Sequence, residues 1–350
     1  MKTRQTPTHA LCLALALPGA LVLAACGDTP VSGPTNTSLR SAIEAKDFAA
    51  ARAQLAEIFE NGDADAKTQR LKLELMLDLE DGYAAMAAID ALPDSALGAD
   101  ERRVARAHAL ILQDKAEAAA ALYAGQDRAG FGEPDYHMML WAMRELEDEE
   151  GFVTGMDQAL EAYPQSADIN ALAARVLFDA DLAQEAAPFA DQAITTDPAH
   201  YEARVVQGEL AIAREDLNAA LAHYEAARDA YPSRALPYAN IAGLQLDLER
   251  AEAAGETLRT AIAMHPEDPF LQWQLARFAL VTGDLEIARK AIEAARRTYR
   301  GNDEFTLLSA QAEERFGNPS LAVSEYRRYL RAVGEDEAVE ARIAALEAGL

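Results

Sequence analysis

The sequence predicts an all-α protein arranged as a solenoid of antiparallel helix pairs, on the evidence of its composition and of one repeated spacing. Half of the 350 residues are apolar, many of them alanine, and no segment alternates apolar and polar residues as an exposed strand would. Helix-ending positions recur every 34 residues. These positions are Pro164, Pro198, Pro232, Pro266, Arg300 and Gly334. Unrelated helices and loops vary in length by several residues, so the constant spacing argues against the alternative of an alanine-rich bundle without repeats.

One complete unit occupies residues 201–232, which read as two amphipathic helices, a breaker between them and a final proline. The small residues Gly208, Ala220 and Ala227 and the aromatic Tyr224 stand at offsets that resemble the tetratricopeptide repeat family. The resemblance implies a right-handed superhelix of helical hairpins in which the first helix of each pair lines a concave groove.

Small residues recur in phase with the helix ends, at two positions of each unit. We expect them where helices of the same and of adjacent units approach too closely for a large side chain, with apolar residues at three- and four-residue intervals around them. The first set is Ala174, Gly208, Ala242, Ala276 and Ala310, and the second is Ala186, Ala220, Ala254, Ala288 and Ala322.

The repeats divide the folded part of the chain into three segments. Residues 39–132 predict less regular hairpins, with second helices near 46–58, 81–89 and 114–123 whose phase differs from the later series by about a residue. Residues 133–335 hold the regular units. Residues 336–350 predict a capping helix, because the end of a repeat stack exposes an apolar face that must be covered.

The amino terminus has the features of a secretory signal over residues 1–25: a charged start, an apolar run and small residues before Cys26. The run is shorter than the roughly 20 residues of a membrane-spanning helix. The Leu-Ala-Ala-Cys sequence ending at Cys26 resembles the lipobox of bacterial lipoproteins, which implies acylation of Cys26 and cleavage just before it. The alternative is an ordinary signal with an incidental cysteine. Residues 26–38, rich in proline, glycine and hydroxyl side chains, predict a flexible tether.

Charge limits the classes of partner. The net charge is −26, and it becomes −28 without Lys2 and Arg4, so nucleic acid and anionic lipid headgroups are poor partners for the body of the protein. Residues 289–331 carry a local excess of arginine that is either a solvated face or a second contact surface. The lipid anchor at Cys26 is the predicted link to a membrane, on the periplasmic face of the bacterial outer membrane. Inner-membrane placement stays open because Asp28 follows Cys26 one position later than the retention pattern requires.

No catalytic motif is present in the sequence. The histidines fall at unrelated phases of the repeat, none begins a His-Glu-x-x-His motif, and phosphate-binding loops and nucleophile elbows are missing. We therefore expect no enzyme activity, cofactor, metal or small-molecule substrate.

The predicted function rests on the groove that the family resemblance implies. Aromatic and arginine side chains are the usual anchors of binding surfaces, and both tryptophans fall on the predicted groove helices. The alternative is that Trp141 and Trp273 pack between repeats. The twelve candidate residues are His137, Trp141, Arg144, Arg175, Phe178, Glu209, Ile212, Leu246, Phe270, Trp273, Arg277 and Leu280.

A chaperone-type carboxylate clamp is not expected, because the corresponding positions hold Val205, Glu209 and Ala239. The sequence thus predicts a lipid-anchored periplasmic scaffold that binds a protein partner in envelope assembly, secretion or exopolysaccharide export. Two alternatives are a regulator of a cell-wall or polysaccharide enzyme and a passive structural spacer.

Overall fold

In the computed structural model, the described residues are 34–62 and 64–349, and they belong to one compact unit. The predicted signal peptide, Cys26 and most of the predicted tether lie outside them. The described residues form nineteen α-helices and one short 3₁₀ helix, Arg128–Gly130, with no β-strand. The α-helices are α1 (Asn36–Glu44), α2 (Phe48–Glu60), α3 (Ala66–Asp78), α4 (Gly82–Ala91), α5 (Ala99–Ile111), α6 (Ala116–Ala121), α7 (Glu133–Glu145), α8 (Glu149–Ala162), α9 (Ala167–Asp179), α10 (Ala183–Thr196), α11 (Tyr201–Ala213), α12 (Leu217–Ala230), α13 (Ala235–Asp247), α14 (Ala251–Met264), α15 (Pro269–Thr282), α16 (Leu285–Tyr299), α17 (Asp303–Arg315), α18 (Pro319–Val333) and α19 (Glu337–Ala348).

The helices pair in chain order into nine hairpins, α1 with α2 through α17 with α18, and α19 follows alone. We call the odd-numbered members of these pairs first helices and the even-numbered members second helices. Each hairpin also packs against the next one along the chain. The prediction of an all-α solenoid of helical hairpins is confirmed.

A residue with positive φ reverses the chain inside every hairpin. The nine residues are Lys46, Glu80, Asp114, Glu147, Asp181, Glu215, Glu249, Gly283 and Gly317. Their spacing is 34 residues throughout, apart from one step of 33 between Asp114 and Glu147. The early hairpins therefore keep the same period as the later ones, and one deleted residue accounts for the phase difference between the two series. In five hairpins the following aspartate caps the second helix, which satisfies a free backbone N–H.

The recurring prolines end the second helices one residue early. Helices α8, α10, α12 and α14 each have 14 residues and precede a proline, whereas α16 and α18 lack it and have 15. The residue before the proline lies outside the helical region in α8, with φ of −133° at Tyr163, whereas Tyr299, which precedes Arg300, is the last residue of α16. Proline disfavours helical geometry in the residue before it, which explains the difference.

The small residues of both predicted sets are buried at helix contacts. All nine alanines are 0% exposed, and Gly208 is buried with them. A Cβ atom on Gly208 would lie 2.8 Å from the ring of Tyr224, which is itself 1% exposed. Because Gly208 has no side chain, the Tyr224 ring of the second helix can pack directly against the first helix.

The two ends of the stack are closed by local features. Helix α1 begins at Asn36, three residues before the predicted start of the folded body, because Thr35 and Ser38 form a capping box. The last three residues of the predicted tether are therefore helical. At the other end, α19 buries Val339 and Ile343 against α18.

Side chains of the first two hairpins contact the junction between α12 and α13. The Nζ of Lys46 lies 4.6 Å from the ring centroid of Tyr231, and Arg234 lies 3.0 Å from Glu80. The Arg234 guanidinium also covers the ring of Tyr201 at 4.5 Å. Repeats of a solenoid ordinarily contact only their neighbours, so these contacts join hairpins one and two to hairpins six and seven.

Candidate functional site

The twelve predicted groove residues all lie on first helices, namely α7, α9, α11, α13 and α15. Most of them line two cavities. His137, Trp141, Arg144 and Arg175 belong to one cavity, and Ile212, Phe270, Trp273 and Arg277 belong to another.

The first cavity, here called the Trp141 pocket, has a volume of 370 Å³ and lies between α7, α9 and the start of α11. Trp141 is half-buried, and its indole N–H donates to Glu145 at 3.1 Å. Its ring lies 5.4 Å from that of His108 and 6.0 Å from that of His137. The pocket is lined by His137, Trp141, Arg144, Asp168, Ala171, Leu172, Arg175, His200 and Glu202.

Both arginines of the Trp141 pocket are held by carboxylates. Arg175 lies 2.7 Å from Glu202, 2.7 Å from Glu209 and 3.2 Å from Asp179. Arg144 lies 3.3 Å from the same Asp179. Burial lowers the pKa of the Arg175 guanidinium, but Glu202 and Glu209 outweigh that effect and the net pKa is raised. Three carboxylates therefore hold two guanidinium groups.

Three histidines lie at or beside the Trp141 pocket. Nδ1 of His200 accepts from the backbone N–H of Ala203 at 3.2 Å, and its Nε2 is hydrogen-bonded to Asp168 at 2.9 Å. The hydrogen bond from His200 lowers the pKa of Asp168. Burial lowers the pKa of His137, and it lowers the pKa of His108 to about 4. The lowered pKa values favour the uncharged form of His108 and of His137 beside Trp141.

The second cavity, here called the Trp273 pocket, has a volume of 460 Å³ and is lined by first helices α11, α13, α15 and α17. Trp273 is only 8% exposed and packs against Tyr299 at 4.8 Å and Phe305 at 5.8 Å between ring centroids. These two residues belong to the end of α16 and to the next hairpin. The structure therefore places most of Trp273 between repeats, as in the alternative considered for both tryptophans, and leaves one edge at the pocket. Trp141 is the more accessible of the two.

The other four predicted groove residues differ from one another in their burial and in their contacts. Phe178 is half-buried beneath the Arg175 guanidinium at 5.9 Å, and Glu209 is one of the Arg175 partners. Leu280 is 6% exposed and lines a neighbouring cavity of 470 Å³ together with Arg277. Leu246 is half-buried and lines neither of the two named pockets.

Sequence reasoning missed the amide side chains that line the Trp273 pocket. Asn240, Gln274 and Gln311 come from three successive first helices. A carboxamide both donates and accepts, so such a series can hydrogen-bond the backbone of an extended peptide. A signal was available for two of them, because Asn240 and Gln274 each stand eight residues after a repeat proline.

The arginine-rich segment lies on α16 and α18, which are second helices. Glu325 lies 3.8 Å from Arg296 and 3.3 Å from Arg328, and Arg327 lies 2.6 Å from Glu347. Local carboxylates thus offset much of the charge, which favours a solvated face over a separate contact surface.

Two classes of site are not found in the described residues. Within residues 34–62 and 64–349, no group of three or more histidine, cysteine, aspartate or glutamate side chains is placed to hold a metal ion. None of the helices in this part of the chain combines the length and hydrophobicity that a membrane crossing requires.

No family model and no curated protein sequence matches this chain. Solved structures do match. The chain is similar to PilF from Pseudomonas aeruginosa, at 17% identity and a TM-score of 0.51, over 62% of this chain and 97% of that one. It is also similar to a chain of the Cut9–Hcn1 hetero-tetramer of the APC/C, at 13% identity and a TM-score of 0.56, over 89% and 76%. A tetratricopeptide repeat protein from Parabacteroides merdae aligns at 12% identity and a TM-score of 0.48, over 71% and 98%.

The hairpin geometry, the 34-residue period and these likenesses together define the class of protein: residues 34–349 have the tetratricopeptide-repeat fold. The two pockets are both lined by first helices of this stack.

Proposed function

We propose that this protein is a lipid-anchored periplasmic scaffold that holds a segment of a partner protein on its first helices, in envelope assembly, secretion or exopolysaccharide export. The observation that carries the proposal is the Trp141 pocket, where a half-exposed indole lies in a concave surface with fixed charges around it. Large aromatic side chains in such positions supply much of the energy of protein recognition.

Two further features support a peptide-like partner. The amides of the Trp273 pocket face the same side of three successive hairpins, so an extended chain running across the repeats could meet them in turn. The chain is also structurally similar to a chain of the Cut9–Hcn1 hetero-tetramer, so a protein with a similar fold takes part in a protein assembly.

The anchor and the compartment rest on the sequence around Cys26, which lies outside the described residues. Acyl chains on Cys26 would hold the solenoid at a membrane surface through the tether, since each buried methylene contributes about 0.8 kcal/mol. Cys26→Ser should leave an unprocessed precursor and abolish labelling by a fatty-acid analogue. Unchanged labelling of that variant would remove the lipid anchor from the proposal.

A site-specific crosslinking experiment tests the scaffold. A photoreactive amino acid at position 141 should give one dominant crosslinked species in cells, whereas the same group at Asp157, exposed on the second helix α8, should not. Equal crosslinking from both positions, or none from position 141 in a folded protein, would contradict partner binding at the first helices.

A further inference from the structure

We propose that the Trp141 pocket receives a lysine or arginine side chain, so that the partner is recognised through a basic segment. This inference rests on the proposed scaffold function and specifies the chemistry of its partner. Its main support is the balance of charge around the pocket together with the partly exposed indole of Trp141 that lines it.

The arginines of the pocket are already occupied. Arg175 contacts Asp179, Glu202 and Glu209, and Arg144 shares Asp179. An acidic partner would have to break these pairs and approach their carboxylates, which is unfavourable. We therefore assign the partner contact in this pocket to the indole and the carboxylates, with the arginines holding those carboxylates in place.

Carboxylates remain in excess after the pairing. Asp179, Glu202 and Glu209 contact the two guanidinium groups, and Asp168 adds a fourth carboxylate, which is hydrogen-bonded to His200. Asp168 and Glu202 have side chains 53% and 40% exposed and line the cavity, so both can accept hydrogen bonds from a bound cation. Asp179 and Glu209, which do not line the cavity, pair with Arg144 and Arg175, so the two carboxylates that line it are the charges left over for a bound cation.

The indole of Trp141 supplies the second half of the recognition. A cation within about 6 Å of an indole face is attracted by the electron density of the ring. Trp141 and His137 both line the cavity, with their ring centroids 6.0 Å apart, and form an aromatic wall on one side of it. A lysine or arginine would place its aliphatic part along this wall and its charged end near Asp168 and Glu202.

The Trp273 pocket has a different set of polar side chains, so the proposal applies to the Trp141 pocket alone. Its single arginine, Arg277, pairs with Asp247 and Gln274, and its other polar groups are the amides of Asn240 and Gln311 and one carboxylate, Glu304. We expect charge selection at the Trp141 pocket and sequence-tolerant backbone contacts at the Trp273 pocket.

The experiment uses the full chain in nonionic detergent and blocked hexapeptides that share one glycine–leucine frame. The peptides carry two arginines, two serines or two glutamates. Calorimetric titration should give a Kd at least tenfold lower for the arginine peptide than for the serine peptide, no binding of the glutamate peptide, and weaker arginine binding as salt is raised.

Single-residue variants test whether the carboxylates of the Trp141 pocket bind the arginine peptide. Asp168→Asn and Glu202→Gln each keep the shape of the side chain and remove one charge, and each should raise the Kd of the arginine peptide by roughly three- to tenfold. Asp157→Asn makes the same change in charge on α8 and should leave the Kd unchanged. Circular dichroism of each variant confirms that it is folded.

Equal affinity for the arginine and serine peptides would overturn the inference while leaving partner binding at the first helices intact. So would arginine binding that Asp168→Asn and Glu202→Gln leave unchanged. A folded protein that binds no arginine peptide also overturns it, whereas the scaffold function itself stands or falls by crosslinking from position 141.

Discussion

The guanidinium of Arg234 lies 3.0 Å from the carboxylate of Glu80, although the two residues belong to the seventh and the second hairpins. Lys46 of the first hairpin reaches Tyr231 beside it. Lys46 and Glu80 both occupy the positive-φ position of their hairpin turns. The same turn that reverses the chain in every repeat thus presents, in the first two, the side chains that meet the distant junction.

Charge reversal at this contact should open it. An exposed ion pair contributes about 0.2–1 kcal/mol and an exposed cation–π contact a similar amount, so a single change shifts the population without unfolding the hairpins. With spin labels on Glu57→Cys and Ala222→Cys, Glu80→Arg should lengthen and broaden the measured distance. The double variant Glu80→Arg with Arg234→Glu should restore it. A distance that stays the same in all three proteins would contradict the contact.

Overpacking a close helix contact should destabilise the stack. Ala242 is 0% exposed, so Ala242→Leu should cost about 1–3 kcal/mol of unfolding free energy, because the surrounding helices must move apart. Ala263→Leu, on the exposed side of α14, is the matched control and should be nearly neutral. Equal denaturant midpoints for the two variants would show that the assigned helix contacts are wrong.

The two tryptophans should behave differently when truncated. Trp273→Ala should lose roughly 3–5 kcal/mol of stability, because Trp273 packs against Tyr299 and Phe305. Trp141→Ala should lose less stability and should weaken partner binding by about 2 kcal/mol or more. Chemical denaturation and a binding assay on the same preparations separate these results. A larger stability loss at Trp141 than at Trp273 would reverse the assignment.

Acidification should destabilise the protein through His108. Burial lowers the pKa of His108 to about 4, below the value of the unfolded chain. The unfolded state therefore binds the proton first, and stability present at pH 7 is lost as the pH falls from about 6.5 towards 4. Between pH 7 and pH 5 this contribution is about 2 kcal/mol. His108→Gln removes the titrating group, so its unfolding free energy should fall less over that interval than the unfolding free energy of the unaltered protein. Parallel pH profiles for the two proteins would rule out this role for His108.

The repeated spacing predicted the architecture well because it records local and nearest-neighbour interactions. A helix end, a hairpin turn and a small residue at a helix contact each depend on residues within one or two repeats. The burial of Ala174, Ala276 and Ala310, and the ending of α8 and α10 before prolines, therefore follow from the sequence alone. Even the one-residue shift between the early and late series is visible as a change of phase.

Three features were decided only by the tertiary structure. The repeat phase predicted that Trp141 and Trp273 lie on first helices. It could not predict their burial, because one face of a first helix lines the cavity and the adjacent face packs against the next hairpin. Trp273 is buried because it packs against Tyr299 and Phe305. Residue type marked Arg175 as a candidate anchor, and only the structure shows that carboxylates from two helices contact it. The contact of Glu80 with Arg234 depends on the summed rotation of several hairpins, and small rotations at each junction leave no mark in the repeat pattern.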